Sequence, residues 1–158
     1  MSLEPKPVGA SAASQVHLIT YTDLNGEGRL FGGVLMMWID VLAGVVARRH
    51  CECQVTTAAV DSLNFIGPAH LDETLLMQGK IMYVGSTSME VCVCTYVEEL
   101  SGKRQLINTA FFIMVAIDKD EKPQRVPGLI LLGDEDREQF EAGRRRYALR
   151  KERRKEHY

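Results

Sequence analysis

Asp40 is the only charged residue between Leu30 and Ala47 in a chain of 158 residues. The run Leu30-Phe-Gly-Gly-Val-Leu-Met-Met-Trp-Ile-Asp40-Val-Leu-Ala-Gly-Val-Val-Ala47 places apolar groups on every side of a helical wheel, which predicts a helix buried all round. A carboxylate in that setting is either hydrogen-bonded or functional, because burying it unpaired is costly. Gly32-Gly33 opens the run. The first N–H groups of a helix have no internal acceptor, and two residues without Cβ let a ligand oxygen approach them. Asp40 follows about two turns later. Hydrolysis at a carbonyl needs both parts: a carboxylate that takes a proton from water or attacks directly, and donors aimed at the developing oxyanion. Each part also has a plain structural reading. Gly-Gly can simply start a helix, and a lone Asp can cap a neighbouring element.

Other hydrolytic and metal chemistries find no support. There is no Gly-x-Ser-x-Gly elbow and no Ser-His-Asp set. His17 falls in a strand, His50 ends the helix, His70 follows Pro68 and His157 lies in the tail, so most are expected at the surface. The cysteines are spaced Cys51-x-Cys53 and Cys92-x-Cys94, not the C-x-x-C of zinc or redox sites. All four are read as reduced thiols, with no metal and no cofactor.

Three segments together resemble a known family. They are Asn25-x-x-Gly28-Arg29-Leu30-Phe31-Gly32-Gly33-x-Leu35-Met36-x-Trp38-Ile39-Asp40, then Val55-Thr56-Thr57-Ala58-x-Val60-Asp61-x-Leu63-Asn64-Phe65, then Val84-Gly85-Ser86-Thr87-Ser88-Met89-Glu90-Val91. In this order they resemble the hotdog-fold acyl-CoA thioesterases, the subgroup of bacterial acyl-CoA thioesterases and animal cytosolic acyl-CoA hydrolases. The resemblance covers roughly residues 15–130. It implies an acyl-CoA hydrolase with Asp40 as base or nucleophile, the Gly32 amide as oxyanion donor and Asn25 as a second catalytic residue. It also implies a dimer, usually stacked into a hexamer as a trimer of dimers, with Asn25 of one subunit meeting Asp40 of the other. By itself, Asn25 reads as a loop Asn stabilising its own turn. For the coenzyme A moiety of the substrate, Gly85, Ser86, Thr87 and Ser88 offer amides and small hydroxyls, or form an ordinary hairpin turn. Thr57 and Asn64 are weaker candidates near the same region, Gly33 accompanies Gly32, and Arg29 at the mouth could meet a phosphate.

The elements that must position these residues follow from pattern. Residues 15–22 read as a strand, 23–29 as a glycine-bearing loop, and 30–50 as the helix, with Arg48, Arg49 and His50 complementing its C-terminal dipole. Strands follow over 54–65, 74–84, 89–100 and 104–118, broken by Gly67-Pro68, Gly85–Ser88 and Ser101-Gly102-Lys103. In the first of these, Val55, Thr57, Ala59, Asp61, Leu63 and Phe65 are expected on one face. The last, apolar on both faces over 110–117, belongs mid-sheet. One strand, one helix and four strands in meander predict an α+β fold, a five-stranded antiparallel sheet wrapped around one long central helix, plus a C-terminal polar helix; this is also the hotdog fold that the resemblance implies.

Charge divides the chain. Residues 144–158 carry eight Lys/Arg and two Glu, and the rest carries 11 basic and 19 acidic residues, for a total net charge of −2. The total excludes general affinity for nucleic acid. The basic segment, with only Tyr147 and Tyr158 as aromatics, is read as a solvated helix that does not pack on the core; attraction of a CoA 3′-phosphate and binding of nucleic acid are the alternatives. The expected organisation is a flexible N-terminus over 1–14, the hotdog domain over 15–130 and a basic helical tail over 131–158. No signal peptide is visible, and the one apolar run carries an acid at its centre, so a cytoplasmic protein without membrane insertion is expected. Two other functions use the same fold. A hotdog hydratase would need a His on the helix, which has none before His50. A non-catalytic acyl-CoA sensor would keep the pocket and lose the carboxylate.

Overall fold

A computed structural model describes residues 2–157; Met1 and Tyr158 lie outside the described residues, and with them the tail's second aromatic. The chain forms β1 (Lys6–Pro7), α1 (Val8–Ser11), β2 (Ala13–Leu18), a 3-10 turn (Tyr21–Asp23), α2 (Gly32–Cys51), β3 (Gln54–Phe65), β4 (Thr74–Val84), β5 (Ser88–Glu98), β6 (Arg104–Ile117), β7 (Leu129–Ile130) and α3 (Asp134–Lys155). The main sheet is five-stranded and antiparallel, in the order β2-β4-β5-β6-β3. Helix α2 lies on one face of it, and α3 crosses the other near β4 and β5. This is the hotdog arrangement.

The core forms where the two apolar surfaces meet. Leu35, Ile39, Leu42, Ala43, Val46 and Ala47 of α2 pack on Met77, Ile81, Val91, Val93, Phe112 and Met114 of the sheet. The helix spacing of three and four and the strand spacing of two supply these positions. The C-terminus of α2 is closed by Glu52 in the left-handed conformation, its N–H donating to the Arg48 carbonyl at 2.8 Å.

Several expectations change. Beyond β3 the strands are not a plain meander: β4, β5 and β6 pair in sequence, but β3 pairs with β6 and occupies the far edge. Two register shifts, between Thr57 and Ala59 and between Val60 and Ser62, interrupt β3. The single face expected for Val55 through Phe65 is therefore broken, since each bulge resets the alternation. Helix α2 is not buried all round. Phe31, at its N-cap, and Met36, Met37 and Val41 along its outer side are exposed. The N-terminal segment is packed from Lys6 onward: Val8 and Ser11 are buried, Lys6 bonds Glu52 at 2.6 Å, and β1 pairs with β7.

The largest departure concerns the C-terminal helix, which docks. Phe140 and Tyr147 meet the ring of Tyr83, with centroids 4.9 and 5.3 Å away. Gly143 makes this approach possible: a Cβ there would lie 2.5 Å from the Cβ of Tyr83. Beneath the helix sits Glu90, whose side chain is 0% exposed. Arg146 donates to its Oε1 at 2.6 and 3.0 Å, and Arg150 to its Oε2 at 2.7 Å. Arg150 also reaches Asp61 at 3.1 Å, and Arg153 lies 3.6 Å from the other Asp61 oxygen. A buried carboxylate requires such partners. Part of the basic segment is thus an ion-pair clamp rather than a solvated run.

Two of the four histidines are also packed. His50 is buried, with Nε2 at 2.9 Å from the Pro127 carbonyl, and burial lowers its pKa. His17 stacks on Trp38 at 4.0 Å. All four cysteines are free thiols.

Candidate active site

Asp40 projects from the middle of α2 toward the start of β3. Thr57 donates its hydroxyl to Asp40 Oδ1 at 2.6 Å. That bond fixes one carboxylate oxygen, and the remaining lone pairs are open to a water or a substrate. The pair lies on a cavity of about 310 Å³, bordered also by Gly44, Arg48, Val55 and Met114. Asp40 is half-buried rather than enclosed, because β3 is an edge strand and, among the described residues, no element covers this side of α2.

Asn25 organises the loop before α2. Its side-chain oxygen accepts from the N–H groups of Glu27 (2.9 Å) and Arg29 (3.1 Å), and its backbone N–H donates to the Arg29 carbonyl at 2.8 Å. Gly28, at φ 72°, makes the turn possible. The loop-stabilising role is therefore real. It also orients the amide, leaving the Nδ2 hydrogens as donors that the loop does not use. Asn25, Arg29, Gly32 and Leu35 border a second cavity of about 420 Å³ with Phe65 and Pro68. A side chain at Gly32 would be tight, since a Cβ would lie 3.3 Å from Phe65 Cζ. Gly33 is covered by the Phe31 ring instead.

The sequence candidates thus fall into two groups that line separate cavities. Asp40 and Thr57 form one. Asn25, Arg29 and Gly32 form the other. Asn64 belongs with the second, near Phe65 and opposite Thr109, far along β3 from Thr57. This corrects the expectation that Thr57 and Asn64 share a region. Gly85–Ser88 closes β4 onto β5 as a tight turn: Gly85 N–H bonds Ser88 O at 2.8 Å, and the Ser86 and Thr87 carbonyls accept from Val126 and Ala116. It borders neither cavity, although Ser88 pairs with Val115, which pairs with Thr56, so it lies at the Asp40 end of the sheet. Arg48 and Met114, on the Asp40 cavity, were not anticipated. Arg48 stands eight residues beyond Asp40 on one helical stripe, a spacing readable in the sequence.

Among the described residues no cluster of three or more His, Cys, Asp or Glu side chains could hold a metal ion, and no helix is long and apolar enough to cross a membrane. The arrangement sets a carboxylate on α2, bonded to a hydroxyl of β3, and a helix N-terminus without a side-chain cap in one hotdog fold.

Comparison with known proteins agrees. The thioesterase superfamily profile matches residues 27–101. The chain is 33% identical over 157 residues to the cytosolic acyl coenzyme A thioester hydrolase of Mus musculus, covering 98% of this chain and 41% of that protein. It spans about two fifths of the length of the curated relatives matched first. A solved apo-hexameric acyl-CoA thioesterase superposes with a TM-score of 0.89 at 34% identity, covering 94% of this chain and 97% of that one. The acyl-CoA hydrolase of Staphylococcus aureus, solved with butyryl coenzyme A, coenzyme A and coenzyme A disulfide, gives a TM-score of 0.90 at 30% identity, with 96% and 94% covered. That hydrolase has also been solved as variants in which an asparagine, an aspartate and a threonine are each replaced by alanine, at intervals of 15 and 17 residues. The present chain belongs to the thioesterase superfamily.

Proposed function

We propose that this chain hydrolyses acyl-CoA thioesters to a free carboxylic acid and coenzyme A, at a site shared between two subunits. The observation that carries this reading is the 2.6 Å Thr57–Asp40 bond on an open cavity. It presents an oriented carboxylate where a water could be deprotonated. Asn25, Asp40 and Thr57 are separated by the same 15 and 17 residues as the asparagine, aspartate and threonine replaced in the Staphylococcus aureus hydrolase.

The shared site follows from the separation of the two groups. Gly32 and Asp40 are eight residues apart on one rigid helix, ~12 Å at 1.5 Å per residue. A thioester carbon in contact with Asp40 is out of reach of its own chain's Asn25 and Gly32. A two-fold partner would bring its loop and helix start to this carboxylate, making two equivalent sites. The surface for such pairing exists. Met36, Met37 and Val41 on α2, with Phe65 and Ile66, are exposed apolar groups, and β3 is a 12-residue edge strand. Stacking of dimers into a hexamer is part of the proposal, as in the hexameric relative.

In the reaction, Asp40 takes a proton from water, or attacks the thioester carbon itself. The partner subunit's Asn25 amide and Gly32 N–H hold the developing oxyanion, and the CoA thiolate leaves. Arg29 stands on the rim where a phosphate of the substrate could be met. No metal or cofactor enters, and the protein works in the cytoplasm, as expected from its cytosolic relatives.

Release of free thiol from a panel of acyl-CoAs tests the reading. Turnover of at least one chain length is expected; binding of acyl-CoA without thiol release would favour the sensor. Exhaustive EDTA treatment is expected to leave the rate unchanged. Loss of activity restored by zinc would contradict the mechanism.

A further inference from the structure

The outer face of the sheet holds a second cluster of reactive groups that plays no part in hydrolysis. Helix α3 covers this face over Glu90 and Tyr83, but its first turns stand away from the sheet. A cavity of about 460 Å³ remains between Glu135 and Gln139 of α3, Ala13 of β2 and the outer side chains of β4 and β5. Two thiols line it. Cys92 and Cys94 stand two apart on β5 and so point to the same side, with their sulfurs 4.0 Å apart.

The surroundings of Cys94 suit a thiolate. Cys92 lies within hydrogen-bonding distance of its sulfur, Thr109 stands opposite it on β6, and Tyr96 lines the same cavity. Lys80, opposite Cys92 on β4, adds a positive charge on the same face. The titratable groups facing the cavity are Cys92 and Tyr96 from β5, Lys80 from β4 and Glu135 from α3, which pairs with Lys80 at 3.5 Å. From β6, Thr109 stands opposite Cys94; β2 contributes Ala13 and Ser14, which do not titrate.

We propose that Cys94 is a thiol-modification site, whose sulfur attacks small-molecule disulfides that enter this cavity and keeps one half of them as a mixed disulfide. The exchange is balanced: Cys94–S⁻ forms a bond to one sulfur of R–S–S–R, the S–S bond breaks, and R–S⁻ leaves with the electron pair. The disulfide supplied from solution is the oxidant. This inference does not depend on the hydrolase reading, since the Asp40 cavity lies across the sheet and shares no residue with it.

Hydrogen bonding with Cys92 is the chief cause that lowers the Cys94 thiol to about 6, while the more deeply buried Cys92 is raised by its bond to Cys94 and by burial. At pH 6 about half of Cys94 is thiolate, against well under 1% of an ordinary cysteine. The lower intrinsic nucleophilicity of a weakly basic thiolate offsets roughly tenfold of that gain, leaving a rate about tenfold above an ordinary thiol at pH 6. The full-length protein is pulsed with iodoacetamide from pH 5 to 9, and each cysteine is quantified by peptide mass spectrometry. Cys94 is expected to reach half its maximal rate near pH 6 and to level off. A second arm uses glutathione disulfide at pH 6.5. One glutathione per chain is expected, located on Cys94 and absent from Cys94→Ser. The proposal is overturned if Cys94 labelling still rises through pH 8, if Cys94 stays unlabelled while Cys53 reacts, or if Cys94→Ser takes up glutathione as fast as the parent. The pH profile uses the unsubstituted chain, so it decides the matter even where Cys94→Ser folds poorly.

Discussion

Asp40→Asn is expected to lower kcat for acyl-CoA hydrolysis by about 10²–10⁴ while leaving coenzyme A binding and thermal stability close to those of the parent. The carboxamide is nearly isosteric, so it keeps an oxygen for the Thr57 hydroxyl, which donates to Asp40 at 2.6 Å. Neither the half-buried position nor the packing of Ile39 and Leu42 on either side need change. What is lost is the ability to take a proton from water or to attack carbon, and general base catalysis has about that weight. Steady-state kinetics with far-ultraviolet circular dichroism and CoA titration separate the outcomes. Full kcat in Asp40→Asn would make Asp40 a structural acid, bonded to Thr57 for the sake of β3 alone.

The second large effect is on stability and lies in α3. Arg150→Ala removes a side chain that bonds both Glu90 and Asp61. Arg150 and Glu90 have side chains 8% and 0% exposed, so water does not replace the lost bonds. Breaking a buried ion pair outright costs about 3–5 kcal/mol; Glu90 keeps Arg146 and Asp61 keeps Arg153, so the lower end of that range is expected. For a domain of this size the Tm should fall by roughly 10 °C. Deleting residues 144–158 should cost more, because Arg146, Tyr147 and Arg153 go as well. Unchanged melting in both variants would mean that the helix is dispensable, as its charge alone suggested.

The contact surface of α3 shows why it was hidden in the sequence. Phe140, Gly143, Tyr147 and Arg150 follow one another at intervals of three, four and three, the stripe of a packed helix face. Two of its four members are a glycine and an arginine, so hydropathy does not mark it. The sign that was present lay on the other element: Glu90 interrupts an apolar strand between Met89 and Val91, and a buried acid implies a cation elsewhere. Local patterns located the long strands and α2 to within a few residues, because alternation and helical period are local properties. Strand order is not local. The sequence alone could not tell that β3 leaves its neighbour β4 to pair with β6, nor that two bulges break its alternation. The exposure of Met36, Met37 and Val41 has a similar cause: an apolar surface reads the same whether its own chain or a second copy covers it. For the site, the reading of Asp40 and Gly32 came from residue type and position, whereas the Thr57 contact needed the fold to bring β3 against α2.

The shared site is tested most directly by mixing two dead proteins. Asn25→Ala and Asp40→Asn homo-oligomers should each be nearly inactive. Unfolding and co-refolding them in equal amounts forms mixed dimers in which one site carries both defects and the other carries none. With random pairing half the dimers are mixed and each has one working site, so about a quarter of the parent activity should return. A site built within one chain would stay dead in every mixture, because each chain keeps its own defect. Recovery near one quarter, with mixing confirmed by native mass spectrometry, is the predicted result; no recovery from verified mixed dimers would contradict the shared site.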